Sequence, residues 1–363
     1  MKKIISICIA GVVVLWGGLF AFYMWHVYTD HVQTRQNLAE AQRVSDAIPL
    51  WHKKIATNQQ IKIGMITDTH VHPSRINRGD ERPNAPRYLD GKDKRTIGQF
   101  VQQMNVFHPD FVVHLGDVIE GTKDSDFIGM QGLQLVSEEL QKGNVPVYWA
   151  IGNHDLRSVT KEQFRDTLGM SALDQVFDAG DYRFIILDAS YNFEDLPTSP
   201  GVNSYVPGKL PPQTLAWFKK QLETDKRVFV FIHQGTFLQN IPGDSEIQED
   251  EAVESENEEE LNEENINGIE YNMKGSIANA QELSDILKDY RVDAIFNGHM
   301  EARAYEVIDH TAHYSLTGTE KSETYPASFY ELTISGGVPS VTMYYTSPID
   351  RKQHVVYFES GEK

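Results

Sequence analysis

Five short segments of this chain place residues able to hold a divalent cation directly after runs of β-branched or aromatic residues. In Ile66-Thr67-Asp68-Thr69-His70 a carboxylate and an imidazole stand two positions apart. On an extended chain that spacing points both side chains to one side, and the pair suits Mn, Fe or Zn. In Leu115-Gly116-Asp117, Gly116 permits close backbone approach and Asp117 projects from a strand end; one carboxylate can bridge two cations held roughly 3.5–4 Å apart. Ile151-Gly152-Asn153-His154-Asp155 offers a hard, neutral oxygen from Asn153, with His154 beside it placed to touch a substrate rather than a metal. His233 follows Val228 to Ile232, and Asn297-Gly298-His299-Met300-Glu301 follows another apolar run. Taken singly, each has a plainer explanation. D-x-H arises by chance as a hydrogen-bonded surface pair, Gly-Asp is a common turn pair, Asp155 could cap a helix, and a lone histidine at a strand end is more often structural. The signal lies in the repetition, because ligands of open α/β sheets bind outside the carboxyl ends of the strands.

The elements that must position these residues are legible as short strands and amphipathic helices. The strands expected are Ile61–Thr67, Asp110–Leu115, Val145–Ala150, Arg183–Asp188, Arg227–Ile232 and Asp293–Phe296, each too short and too β-rich for a buried helix. Helices are expected over Asp93–Phe107, Gly132–Lys142, Lys161–Leu168, Pro211–Glu223 and Asn279–Tyr290. This alternation argues for an α/β domain. Toward the C-terminus only strands and turns follow, at Tyr305–Ile308, Ala312–Leu316, Ser328–Ile334 and Ser340–Tyr345, which suggests an antiparallel section of a mixed sheet.

Asp-x-His, Gly-Asp, Gly-Asn-His-Asp, His and Gly-His, in that order, closely resemble the calcineurin-like metallophosphoesterase superfamily, over roughly Ile61 to Gly318. Gly-Asn-His-Asp is the most specific part. The resemblance implies an α/β fold, a four-layer αββα sandwich of two mixed β-sheets. It implies a two-metal centre in which Asp68 and His70 hold the first metal, Asp117 bridges, and Asn153, His233 and His299 hold the second. It implies a catalytic role for His154 at the phosphoryl oxygens or leaving group, with Glu120, three past Asp117, as its partner. The chemistry implied is phosphoester hydrolysis, of a mono-, di- or pyrophosphate ester, by a water that two divalent cations make acidic. The last motif departs from the family's Gly-His-x-His by ending in Glu301. Glutamate is a competent ligand for Mn or Fe, so Glu301 joins the candidate metal ligands, and Mn is favoured over Fe or Zn. The lone His233 is followed by Gln234-Gly235 rather than a proline, at a position where substrate contact is expected.

Arg157, just past the third motif, is read either as a phosphate contact or as an exposed helical residue. His72 is read as a surface histidine, with reach to the site as the alternative, and the 73–92 loop (Arg75, Arg78, Arg82 and Arg87) as a solvated loop, with overhang of the site to receive an anionic substrate as the alternative. His108, His114, His310 and His313 show no partner pattern.

Composition limits the rest. A net charge of −19 disfavours a nucleic-acid backbone as partner, and the single cysteine, Cys8, leaves the folded part without disulfide or thiolate chemistry. Ile4 to Trp25 is free of charge and long enough to span about 33 Å as a helix. Lys2 and Lys3 before it favour a cytoplasmic N-terminus. The expectation is a single-pass cell-membrane anchor over residues 1–30, a stalk over 31–60, an extracytoplasmic catalytic domain over 61–350 and a tail over 351–363. The alternative is a cleaved signal and secretion, against which no small-x-small site stands near Phe20 to His26. Within the domain, 244–267 is read as an acidic, disordered insertion, since Asp244 to Glu264 holds twelve carboxylates and no Lys or Arg. No obligate protein partner is expected. A second reading, a catalytically silent domain of the same fold that recruits a partner, is kept open by Glu301.

Overall fold

The structure, a computed structural model, describes residues 59–72, 89, 91–121, 125–200, 208–237, 275–319, 327–346 and 353–358. The expected anchor over Ile4 to Trp25, most of the stalk, the 73–88 loop and the acidic insertion lie outside the described residues. Among the described residues no helix is long and apolar enough to cross a membrane.

In chain order the elements are β1 (Gln60–Ile66), α1 (Gly91–Phe107), β2 (Phe111–His114), α2 (Asp126–Gln141), β3 (Val147–Trp149), α3 (Lys161–Thr167), β4 (Gln175–Ala179), β5 (Tyr182–Leu187), α4 (Pro212–Leu222), β6 (Arg227–Ile232), α5 (Ala280–Asp289), β7 (Ala294–Asn297), β8 (Ala304–Ile308), β9 (Thr311–Ser315), β10 (Ser328–Ser335), β11 (Val338–Thr346) and β12 (Gln353–Phe358). They build two mixed six-stranded sheets, ordered β12-β11-β10-β1-β2-β3 and β4-β5-β6-β7-β9-β8. The first contains the parallel trio β1-β2-β3, the second the parallel trio β5-β6-β7. Antiparallel β10 and β4 flank the trios on one side, β9 extends the second trio in parallel beyond β7, and β8 closes that sheet antiparallel to β9.

Alternation along the strands sorts side chains into layers. Ile61, Ile63 and Met65 of β1 and Phe111 and Val113 of β2 meet Phe184, Ile186, Phe229, Phe231 and Phe296 of the second sheet in one core between the sheets. The opposite face of the first sheet, with Ile66, Val112 and Phe329, packs on Phe100, Met104, Leu133 and Val136 of α1 and α2. Ile185, Val230 and Ile295 on the outer face of the second sheet pack on Leu215, Phe218, Leu283 and Leu287 of α4 and α5. The order is helix, sheet, sheet, helix, as expected. Each trio buries both faces, so its strands read as nearly continuous apolar runs.

Three differences from the sequence reading have local causes. Helix α2 starts at Asp126, six residues before the expected Gly132, because Ser125 caps it, accepting from Ile128 N. Gly129 within it faces Ser158 and Val159 so closely that no Cβ would fit. Strand β4 was not expected: its residues alternate between half-buried and exposed, without an apolar run, and pairing with β5 makes it a strand. Gln353–Phe358, assigned to the tail, forms β12 by pairing with β11.

Tyr330 of β10 ties the sheets together near their shared rim. It is fully buried and its hydroxyl accepts from Thr317 N at 2.8 Å, in the segment after β9. Two residues on, Thr319 N donates to Thr67 O at 3.0 Å, beside the first motif. Tyr330→Phe should leave the Thr317 N–H without this acceptor and lower stability by about 1–3 kcal/mol. The expected readout is a lower urea midpoint at unchanged m-value; an unchanged midpoint would contradict this role.

Candidate metal centre

The five motifs follow β1, β2, β3, β6 and β7, five of the six strands of the two parallel trios. Because each trio runs one way, its carboxyl ends gather at one rim, and contacts between the loops show that the two rims coincide. His233 Nε2, after β6, lies 3.1 Å from Asn153 Oδ1, after β3, and 3.2 Å from Asp117 Oδ2, after β2. His299 N, after β7, donates to the carboxylate of Asp68, after β1, at 3.2 Å.

The loops are wound tightly. Asp68, His70, Asp117, His299 and Glu301 all have φ between 41° and 61°, a left-handed conformation unfavourable for residues with a Cβ and of order 1–3 kcal/mol each. The reason expected for the joint orientation of Asp68 and His70, alternation on extended chain, is therefore wrong: both have left the strand. A backbone ladder holds them instead, with Asp68 N donating to Gly116 O, His70 N to Asp117 O and Val71 N to Val118 O at 3.0–3.2 Å. Two glycines permit the approach. A Cβ on Gly116 would stand 2.6 Å from His233 Nδ1, and one on Gly152 would collide with the Asp117 carboxylate.

The side chains form three groups of donor atoms with metal-binding proximity: Asp68, His70 and Glu301; Asp117, His233 and His299; and His70, Glu120 and His154. Asp117 joins the first two. Its Oδ2 is 3.8 Å from His70 Nε2 and 3.2 Å from His233 Nε2, while Oδ1 accepts from His154 N at 2.8 Å. The metal-facing nitrogens are set by what holds the opposite ones. His70 Nδ1 donates to Glu120 Oε2 at 2.9 Å and His233 Nδ1 to Leu115 O at 2.9 Å, so each turns Nε2 inward. His70 Nε2 is buried and makes no hydrogen bond. Glu301 Oε1 stands 3.2 Å from it. A buried nitrogen without a hydrogen bond, ringed by Asp68, Asp117 and Glu301, fits a cation seated among them.

Electrostatics agree with that fit. Burial opposes charge on His70, yet the carboxylates of Glu120 and Glu301 raise its pKa well above the ordinary imidazole value. Burial opposes charge on His233 too, but Asp117 and Asp68 push it up to about 9. Asp68 is raised to about 7 by burial and by its neighbours Asp117 and Glu301, against the pull of His233 and His70. The carboxyl of Asp117 stays well below its usual range because His233, His154 and His70 outweigh its burial. His299 is lowered to about 3 by burial and His233, and burial lowers His154 as well. Without a cation, protons on His70 and His233 offset the carboxylates.

All the expected ligands, Asp68, His70, Asp117, Asn153, His233, His299 and Glu301, converge here, and Glu120 and His154 stand beside them. Glu120 Oε2 accepts from His154 Nδ1 at 2.9 Å as well as from His70. Three other readings change. Arg157 donates to Glu120 Oε1 at 2.8 Å from a largely buried position, so it is not an exposed helical residue. Asp155 does not cap a helix: its two carboxylate oxygens accept from Gly152 N and Ile119 N, tying the third loop to the second. Gln234, expected beside substrate, is buried and donates to Ser190 Oγ. His72 belongs to none of the three groups. The sequence reading missed His114, which is fully buried and hydrogen-bonded to two motif loops; its place one residue before Leu115-Gly116-Asp117 was the only available signal.

The family model described as calcineurin-like phosphoesterase matches residues 61–300, and this chain belongs to that family. Among solved structures it is similar to a dimetal phosphatase from Danio rerio, at 16% identity and a TM-score of 0.57, over 82% of this chain and 99% of that one. It is also similar to a purple acid phosphatase from yellow lupin (Lupinus luteus) seeds, at 12% identity and a TM-score of 0.48, over 83% of this chain and 54% of that one. A search of curated protein sequences found no match.

Cation binding should be proton-linked. Ligation needs neutral imidazoles, so at neutral pH loading must displace protons from His70 and His233. As pH rises toward about 9 the proton on His233 leaves on its own and the competition there falls. Manganese affinity should therefore rise with pH, and calorimetric titrations in buffers of different ionisation enthalpy should show net proton release. Affinity that falls over that range would contradict the assigned electrostatics.

Proposed function

We propose that this chain hydrolyses a phosphate mono-, di- or pyrophosphate ester with two divalent cations bound at this rim. The observation that carries the reading is the Asp117 carboxylate, standing between the Asp68–His70–Glu301 group and the His233–Asn153–His299 group. Two cations there would make a shared water acidic and neutralise phosphoryl oxygens. The chain's residues supply the rest. Asp68, His70 and Glu301 hold the first position, Asn153, His233 and His299 the second, and Asp117 both. The first position is rich in carboxylate oxygen, which suits Mn or Fe, with Mn favoured; the second is richer in imidazole. His154, fixed through Nδ1 by Glu120, keeps Nε2 for the phosphoryl group; with the ring proton on Nδ1, that nitrogen could give a proton to the departing alkoxide only after taking one up from the substrate or solvent. Arg157 holds the other oxygen of Glu120 and so steadies that orientation. No serine or cysteine nucleophile is required.

The sequence further supports a membrane-anchored protein with its catalytic domain extracytoplasmic, on the strength of Ile4 to Trp25 and the preceding lysines. Carbonate-washed membranes should retain the full-length chain, and protease added outside the cell should degrade its domain; a shortened chain in the medium would support signal cleavage instead.

The catalytic test uses the full chain loaded with Mn, Zn, Fe or Mg and offered mono-, di- and pyrophosphate esters. Hydrolysis should need Mn or a similar transition metal and fall by roughly two orders of magnitude or more in Asp117→Asn and Asn153→Ala. If the loaded wild type hydrolyses nothing that these variants do not, a binding domain of the same fold is the better description.

A further inference from the structure

His114 is the last residue of β2, and its side chain faces away from the inter-sheet core, stacked on Trp149 of β3 with ring centroids 5.4 Å apart. It lies outside every group of candidate ligands. Its hydrogen bonds nonetheless run through the two loops that carry Asp68, His70 and Asp117. Gly116 N lies 3.2 Å from Nδ1. A backbone N–H can only donate, so Nδ1 is the accepting nitrogen and the ring proton sits on Nε2. Nε2 stands 3.1 Å from Thr69 Oγ1, and the Thr69 hydroxyl in turn donates to Val118 O at 2.7 Å. The direction of the chain follows from the donors: Gly116 N–H to His114, His114 to Thr69, and Thr69 to the carbonyl of Val118, with Asp117 O a longer second acceptor at 3.5 Å.

Its end points matter. Gly116 and Val118 flank Asp117, and Thr69 lies between Asp68 and His70. The chain therefore spans three of the residues whose backbone is left-handed, at φ of 50°, 41° and 50° for Asp68, His70 and Asp117. Such conformations persist only where the surroundings over-determine them. The backbone ladder between the loops fixes their separation; the side-chain relay adds a second tie on the helix-facing side of the first sheet.

We propose that His114 is a positioning residue: acting through the Thr69 hydroxyl, it locks the first two motif loops against each other and thereby sets the affinity of the Asp68–His70–Glu301 position for its cation. This rests on the two-metal reading, and the experiment separates the two.

The full chain is stripped of metal and titrated with manganese by calorimetry, with the bound metal counted by elemental analysis and the electron paramagnetic resonance of the manganese pair recorded. The variants are Thr69→Val, which removes the hydroxyl at nearly constant volume, Thr69→Ser, which keeps it, His114→Phe, which keeps a ring against Trp149, and the double variant Thr69→Val/His114→Phe. Thr69→Val and His114→Phe should each weaken manganese binding by roughly 10–100-fold and reduce the coupled-pair signal, as loss of an outer partner of a metal ligand does. Thr69→Ser should restore wild-type affinity. Because both residues act through one relay, the double variant should lose little beyond either single one. Should His114→Phe fail to fold, Thr69→Val against Thr69→Ser decides. A Thr69→Val variant that melts earlier but binds manganese within about two-fold of wild type would show a merely structural hydroxyl and overturn the proposal. Wild type that binds no manganese would instead remove the two-metal reading, and this inference with it.

Discussion

Four carboxylates, those of Asp68, Asp117, Glu120 and Glu301, are crowded at one rim of the molecule, and their mutual repulsion is the constraint around which the rest is arranged. Two like charges about 4 Å apart at an effective dielectric of about 20 repel by about 4 kcal/mol, and Asp68 and Asp117 have no solvent to screen them. Something positive must sit among them. Without a cation it is protons on His70 and His233, and Arg157 against Glu120. The same field that raises those imidazoles is what a divalent cation would find. A second carboxylate group, Asp174 and Asp188 beyond the end of β5, meets its charge differently, with Lys161 of α3 on Asp188 at 2.5 Å and stacked over Tyr191; there a lysine closes the site, and no imidazole is presented.

The architecture explains how the crowding is achieved. A single parallel trio can bring three strand ends together; β1-β2-β3 packed face to face with β5-β6-β7-β9 brings seven, and five of these carry motif residues. The aromatic core between the sheets, Phe184, Phe229, Phe231 and Phe296 against β1 and β2, sets the separation of the rims. Asn153 and His233 meet because β3 and β6 belong to different sheets whose ends that core holds level. Core packing and site geometry are thus one problem, since each group of ligands draws on both sheets and a shift of one sheet against the other would part both.

Local conformation is the second cost of the site. Five motif residues hold a left-handed backbone, and four of them are tied to another loop: Asp68 to Gly116 and His299, His70 to Asp117, and Asp117 also to His154. Asp155 and Glu120 repeat the device with side chains, each accepting from two different segments. Such interlocking allows strained positions to persist, and it makes the rim a unit rather than a set of independent loops.

Residue types and their order determined a good deal without coordinates. Short β-rich runs identified ten of the strands, most clearly the six of the two trios because these are buried on both faces, and the residues just past five of those six were the ones brought together. What the sequence could not show is whatever depends on a partner distant along the chain. Strands β4 and β12 exist only through pairing with β5 and β11. Arg157 was open between phosphate and solvent until Glu120, 37 residues away, was seen beside it. His114 looked like a stray histidine because its meaning lies in Thr69 and Gly116, one on another strand's loop and one across a turn. Asp68 and His70 face the centre by a left-handed turn rather than by strand alternation. Spacing carries chemistry and period; which nitrogen is held, which carboxylate is shared and which backbone is strained are settled only when two sheets close on one another.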